Sequence, residues 1–388
     1  MLHFKSRFSS LSEEEKLIFV SFFLLFMNIF IHAICIVGIV IYAYRKKELK
    51  ADVKKMPGAK YLLLLTALSF VVSVFYKNLY GIGIAIGLFF VFLYISFVRQ
   101  HLNKNLFGLI IEMMIWMSLF INLVGLAQFW NISRINDYSF FTFHIFNSPK
   151  RRISSTFLNA NYYAMMLEFL ITCCMFRFVQ VKKWKEKAIY VVIGLFDFFM
   201  LYLTGCRAAL LPFVVMVPVF LFFSKEYKWS ILSIICIVLA IGIIIYDPSL
   251  IPRVDDLKTV GSRFKIWSCA WMAIKDHPIF GLGPFGYSVA YKIYNGHVAP
   301  HAHNIYIDSV LSYGIVGVIL IGLAIKQIGK DCLRLYKWKE NEEYFALCVA
   351  TIIIVLIHGI MDVTLMNLCT GVFILLMMNL SVLKEENV

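Results

Sequence analysis

The sequence predicts an all-α, polytopic membrane protein of about twelve transmembrane helices, or eleven, with one long extracytoplasmic loop carrying an amphipathic helix. Three observations point there. Of 388 residues, 61% are hydrophobic and only 15% charged, with a mean hydropathy of +0.80; soluble domains carry about 25% charged residues. The apolar residues fall in continuous runs near the roughly 20 that a helix needs to span a bilayer, without the alternation of transmembrane strands. Basic residues collect in short loops at alternate crossings, the pattern that sets orientation.

The elements follow in order. Residues 17–44 read as one long tilted helix or a hairpin of two short ones, and the basic flanks on both sides favour the hairpin. No small-residue cleavage site follows that stretch, so it is expected to be retained. With the basic segment 45–60 inside, spans fall at about 61–76, 80–98, 106–130, 161–180, 188–206, 208–223, 230–246, 305–325, 344–361 and 364–383. Every loop then placed inside (99–105, 177–187, 224–229, 326–343 and the C-terminal tail) contains Lys or Arg. Residues 1–388 thus form a single integral membrane domain with two notable outer loops, 131–160 and the longer 247–304. In the longer one, Phe264, Trp267, Trp271 and Ile274 recur at helical spacing ahead of HPIFGLGPFG. That pattern predicts an amphipathic helix at the interface, then a turn.

Several function classes drop out. The net charge of +14 lies mainly in the orienting loops, and no nucleic-acid motif accompanies it. The nine cysteines sit mostly within spans and lack the spacing of a disulfide framework or a zinc site. Cys206 and Cys269 fall on or near the outer side, but nothing in their spacing requires a bridge. Gly281, Gly283 and Gly286 spell G-x-G-x-x-G, yet no strand precedes them and Pro284 interrupts them, which excludes a dinucleotide fold. Asp255 and Asp256 lack further ligands at metal spacing and read as an exposed acidic turn.

What remains is a set of polar residues at the outer edge. Arg207 lies where two spans meet, and charge so near hydrocarbon usually marks function. Arg263 opens the amphipathic segment, with a planar fork suited to phosphate. Arg151 and Arg152 are further candidates for a phosphate, whether of substrate or of lipid. His303, in HAHN at the mouth of the span that begins near 305, is the candidate proton acceptor, since an imidazole titrates near 6.5. His301 and His297 lie close to it in sequence. Asp308, inside that span, has three readings: to pair an Arg, to orient the His, or to form a structural ion pair. In HGIMD, His358 and Asp362 are expected one helical turn apart on one face.

These residues resemble a known family. His303-Asn304 followed after nine residues by Gly314-Ile-Val-Gly317 is similar to the His-Asn…Gly-x-x-Gly signature of bacterial O-antigen ligases and repeat-unit polymerases. TGCRAALL resembles that family's Thr-Gly-Ser-Arg-Gly-Ala segment, with Cys206 and Ala208 as substitutions. SRFKIWSCAWMAIKDHPIFGLGPFGY and STFLNANYYA resemble its loop and Asn-containing elements, so the likeness spans about 154–317 with HGIMD as a looser extension. The resemblance implies an inverting glycosyltransferase of the bacterial cytoplasmic (inner) membrane, needing neither metal nor other cofactor. It would move an undecaprenyl-diphosphate-linked glycan to a sugar hydroxyl, of a lipid core or a growing glycan, on the outer face. Carried over by position, His303 would be the base, and Arg207 and Arg263 would hold the diphosphate. Asn304, Arg151, Arg152, His301 and Asp362 would line the substrate site, and Gly314 and Gly317 would permit close helix packing. Membrane lipid is the other expected partner, and nucleic acid is not. A lipid-linked oligosaccharide flippase or transporter is the alternative, kept open by the intramembrane acids Glu112, Glu168 and Asp197; a non-catalytic scaffold fits Arg207 less well.

Overall fold

Asparagine side chains set several of the helix starts. Asn28, Asn103, Asn159, Asn304 and Asn367 each turn a side-chain oxygen onto amides of the first turn, satisfying donors that a helix N-terminus leaves without partners. The structure, a computed structural model, describes residues 2–337, 342–365 and 367–387. In chain order its helices are α1 (Leu2–Ser9), α2 (Glu13–Met27), α3 (Ile29–Arg45), α4 (Leu49–Lys55), α5 (Ala59–Phe75), α6 (Leu79–His101), α7 (Lys104–Ile135) and α8 (Ala160–Gln180). There follow α9 (Trp184–Leu203), α10 (Leu211–Phe223), α11 (Tyr227–Tyr246), α12 (Leu257–Asp276), α13 (Tyr287–Ile293), α14 (Ile305–Tyr336), α15 (Glu342–His358) and α16 (Leu368–Met377). No strand occurs among the described residues.

Five helices, α6, α7, α8, α11 and α14, are long and apolar enough to cross a membrane, and α3, α5, α10 and α16 are shorter apolar helices. The stretch 17–44 is broken at Asn28, whose extended backbone (φ −162°, ψ 131°) ends α2 and caps α3. The last helix is shorter than expected: α16 stops at Met377 and the chain continues as a 3₁₀ turn. α8 is the centre of the bundle, with 72% of its apolar stretch buried against 6% for α11.

Polar contacts tie the two ends of the bundle separately. At one end Arg7 Nε donates to Asn105 at 2.8 Å, Arg99 pairs with Asp331 at 3.2 Å and Gln180 donates to Glu343 at 3.2 Å. Those bonds join segments the sequence places on one side. Of the basic segment 326–343, residues 338–341 lie outside the described residues. At the other end Arg152 Nε donates to the Thr204 carbonyl at 2.6 Å and Arg207 Nη1 to the Arg253 carbonyl at 3.0 Å.

The large loop has a core of its own. Ile266, Cys269, Ala270, Ala273 and Ile274 of α12 pack with Leu282, Tyr287, Ala290, Ala299, Ala302 and Leu311. The helix is present as α12, and the residues read at helical spacing divide between its two sides: Ile274 and Trp267 pack into this core, whereas Phe264 and Trp271 face outward. The small residues Ala270 and Ala273 are also turned in.

α14 is not continuous. Gly314 sits at φ 60°, ψ −171°, a region essentially open to glycine alone, and the helical ladder parts there. The segment 278–283 fills the gap. Leu282 and Gly283 amides donate to the carbonyls of Leu311 and Ser312 at 2.9 and 2.8 Å, while Ile315 and Val316 amides donate to Pro278 and Ile279 at 2.9 and 3.1 Å. Backbone polar groups at a broken span must find such partners. The packing is tight: a Cβ on Gly314 would stand 2.3 Å from the Ile279 oxygen, and one on Gly281 2.6 Å from the Leu311 oxygen. Gly314 therefore admits the turn segment 278–283 rather than a neighbouring helix, and Gly281 of the GLGPFG turn acts at the same contact. Gly317 is crowded from within, since a Cβ there would lie 2.3 Å from Tyr313 Cβ.

Gly314→Ala is expected to cost about 3 kcal/mol in backbone strain alone, lowering the melting temperature in lipid by roughly 3–5 °C. Gly322→Ala in the same helix, where a Cβ meets nothing within 4 Å, should leave it unchanged or raise it.

Candidate active site

The loop carrying His301 and His303 is clamped at Ala302. Its amide donates to Asp308 Oδ1 at 2.8 Å, and its carbonyl accepts from Trp267 Nε1 at 3.0 Å. That gives Asp308 a role as a backbone anchor rather than an ion-pair partner of an arginine. Asn304 caps α14 and also donates to the Ile360 carbonyl at 2.9 Å, and the Ile305 amide donates to Gly359 at 2.7 Å. The HAHN loop and the 359–362 turn are thereby fastened edge to edge. These bonds hold His303 at φ 49°, a left-handed conformation that surrounding structure must enforce on a side-chain-bearing residue.

Within this frame His303 Nδ1 lies 3.2 Å from Asp362 Oδ1, and Asn161 Nδ2 donates to Asp362 Oδ2 at 2.7 Å. Arg152 extends the chain, donating to Asn161 Oδ1 at 3.0 Å. His303 donates through Nδ1 to the carboxylate, which leaves Nε2 as its accepting atom. The His303 side chain is 26% exposed and Asp362 only 3%, so the imidazole is reachable and its partner is not. Burial by itself would raise the Asp362 carboxyl. The His303 hydrogen bond and the charges of the neighbouring histidines outweigh that and hold it well below the usual carboxylate range.

His301 stacks edge-on to His303, with ring centroids 4.3 Å apart. Its Nδ1 accepts from the His303 amide at 3.2 Å, so the neutral ring carries its proton on Nε2, the nitrogen 3.8 Å from Asp362 Oδ1. His301, His303 and Asp362 stand close enough to ligate one cation. The proton on His301 Nε2 occupies the position such a cation would take, and the bonding fits a proton-handling cluster better than a metal centre.

Arg207 and Arg263 flank the cluster, and among the described residues neither bonds a carboxylate. Arg207 donates to the carbonyls of Arg253 and Asp256, at 3.0 and 3.3 Å, and Arg263 donates to the Met361 carbonyl. Arg253, in contrast, forms an ion pair with Asp256 and donates to the Gly205 carbonyl at 3.2 Å. Beneath the site Glu168 and His358, both fully buried, bond at 2.8 Å.

Of the residues singled out from sequence, the structure brings together His303, His301, Asn304, Asp362, Arg152, Arg207 and Arg263. Arg151 stands apart, exposed over the Phe146 ring at 5.5 Å. α15 ends at His358 and Asp362 lies in the turn beyond it, but its amide donates to the His358 carbonyl at 3.1 Å, which keeps the two one turn apart; their side chains bond different partners, Glu168 and His303. Cys206 and Cys269 are both free thiols. Asn161 and Arg253 had no assigned role. Asn161 lay within STFLNANYYA, whereas nothing in sequence marked Arg253.

Burial pushes the His301 imidazole down from its ordinary 6.5 to about 4, and Asp362 only partly offsets this. A group whose folded pKa is depressed stabilises the fold above its unfolded value and loses that contribution as pH falls. Stability should therefore drop between pH 6.5 and 4. His301→Gln should flatten that limb of the pH–stability curve, as measured by thermal unfolding in lipid.

No curated protein matches the chain. Residues 189–322 match the family model described as O-antigen ligase, a stretch that includes Arg207, Arg263, His303, Gly314 and Gly317 but not Asn161 or Asp362. Together with the convergence of those residues at one end of a helical, membrane-type bundle, this match supports the O-antigen ligase and polymerase family for this chain.

Proposed function

We propose that the protein is an inverting membrane glycosyltransferase that moves an undecaprenyl-diphosphate-linked glycan to a sugar hydroxyl, as a ligase or a repeat-unit polymerase. One observation carries this reading: two half-buried arginines that, among the described residues, bond only to carbonyls stand beside a His303–Asp362 pair. Guanidinium groups that are oriented by carbonyls, with no carboxylate bonded to them among the described residues, keep their forks open to a ligand that brings its own negative charge. A diphosphate suits them, because its charge grows as the sugar leaves and preorganised donors stabilise that growth.

The acceptor hydroxyl gives its proton to His303 Nε2 as its oxygen bonds the anomeric carbon from the face opposite the leaving group. The bond from that carbon to the diphosphate oxygen breaks, and Arg207 and Arg263 take up the released charge. Asp362, ionised and fixed by Asn161, keeps His303 in the accepting tautomer and stabilises the imidazolium, the same logic as in a Ser-His-Asp triad. No step in this scheme calls on a metal.

Twelve crossings suit the apolar helices α2, α3, α5 to α11 and α14 to α16. The basic loops at the end opposite the site favour an inner membrane orientation with the site extracytoplasmic. The transport alternative gains little support from the intramembrane acids. Glu112 lies 3.7 Å from Arg7, Glu168 bonds His358, and Asp197 accepts from Asn122 at 2.7 Å, so each has a partner rather than facing an open path.

Transfer by the purified protein in lipid, with chelator present, tests the proposal. His303→Ala should lower turnover by about 10²–10⁴-fold, the usual contribution of a general base. Arg207→Lys should lose about 10²–10³-fold despite keeping its charge, since the planar fork is what fits two phosphate oxygens. Full turnover by folded His303→Ala would rule out the base assignment, and donor movement across the bilayer without transfer would favour the flippase.

A further inference from the structure

A cleft of about 410 Å³ opens on the large loop between the outward side of α12 and residues 294–297. Phe264, Lys265, Ser268 and Met272 line it from the helix, and Asn295 and His297 from the loop. The loop wall is built to stay in place. Gly296 passes so close to α12 that a Cβ there would stand 2.5 Å from Cys269 Sγ, and its amide donates to the Tyr291 carbonyl at 2.9 Å. The Tyr287 hydroxyl donates to the His297 carbonyl at 2.9 Å. Asn295 is held at φ 51°, a strained conformation of the kind concentrated at ligand sites.

The polar ends these walls present are free. Among the described residues the Lys265 ammonium, the Ser268 hydroxyl, the Asn295 amide and the His297 ring make no hydrogen bond or ion pair with the protein. No carboxylate lines the cleft, and Asp276 on the last turn of α12 is engaged by the Tyr294 hydroxyl at 2.5 Å. Phe264, 62% exposed, and Met272 supply an apolar face beside them. A volume in the ligand-pocket range of roughly 300–1,000 Å³, with an aromatic face, several donors and one uncompensated cation, fits a polyhydroxylated ring with a negative substituent. Both walls belong to the segments that carry the candidate site, since Phe264 follows Arg263 in sequence and His297 precedes His301 by four residues.

We infer that this cleft is a subsite for a phosphate- or carboxylate-bearing sugar of the acceptor glycan, an inference that rests on the transfer reaction proposed above. The test uses the full chain in nanodiscs of zwitterionic lipid and a trisaccharide carrying one phosphate, with its dephosphorylated counterpart as control. Calorimetric titration should show the phosphorylated probe bound at least tenfold more tightly. Lys265→Gln should abolish that preference, and Phe264→Ala should weaken both probes about equally. Both side chains are exposed, so neither change threatens folding. Equal binding of the two probes, a preference that survives Lys265→Gln, or displacement of the probe by anionic lipid in the disc would each overturn the inference. Lys265-dependent binding without any glycan transfer would sink the transferase reading and leave the cleft as an anionic-sugar site.

Discussion

The end of the bundle that holds His303 depends on one exchange of backbone hydrogen bonds. α14 gives up its own ladder at Gly314, and residues 278–283 take its place through four bonds of 2.8 to 3.1 Å. An unpaired amide or carbonyl in this apolar setting would cost several kcal/mol, so the break and the inserted segment exist only together. The consequence reaches the site from both directions. The segment is the continuation of α12, which carries Arg263 and Trp267. The short half-helix before the break carries Asn304 at its start and Asp308 in its first turn. Trp267 and Asp308 then grip Ala302 from opposite sides, and the two histidines on either side of it have little freedom left.

Charge is distributed to match. At the end bearing the basic loops, Arg99 and Asp331 satisfy one another, as buried charges generally must. At the other end Arg253 and Asp256 are paired, but among the described residues Arg207 and Arg263 bond carbonyls only. Carbonyl contacts orient a guanidinium without neutralising it. Two such groups beside an ionised Asp362 and an accessible His303 give the site one face for an anion and another for a proton.

Much of this was legible in the sequence, for physical reasons. Long apolar runs announce an all-helical, membrane-type chain, since hydrophobicity and helix length are local properties, and five of the helices are long and apolar enough to cross a membrane. His303, Arg207 and Arg263 stood out because polar groups at a hydrocarbon edge are costly. Other features depended on approach in space. The spacing of Phe264, Trp267, Trp271 and Ile274 marks a helix but not which of them turn inward; contact with the rest of the loop selects Trp267 and Ile274, with Ala270 and Ala273 beside them. Gly314 was noticed, but its positive φ and the segment it admits have no local signature. Asn161 and Arg253 acquire partners only when the 131–160 loop and the 247–256 segment fold over the bundle, and Arg151, next in sequence to Arg152, ends up outside the cluster.

The most direct measurement is a structure of the full chain in a lipid nanodisc with an undecaprenyl-diphosphate sugar bound. The diphosphate is predicted to lie between the Arg207 and Arg263 guanidinium groups, with the sugar's anomeric carbon turned toward His303 Nε2. A diphosphate seated elsewhere, such as at the basic loops around 45–60, with Arg207 and Arg263 still bonded only to carbonyls, would contradict it.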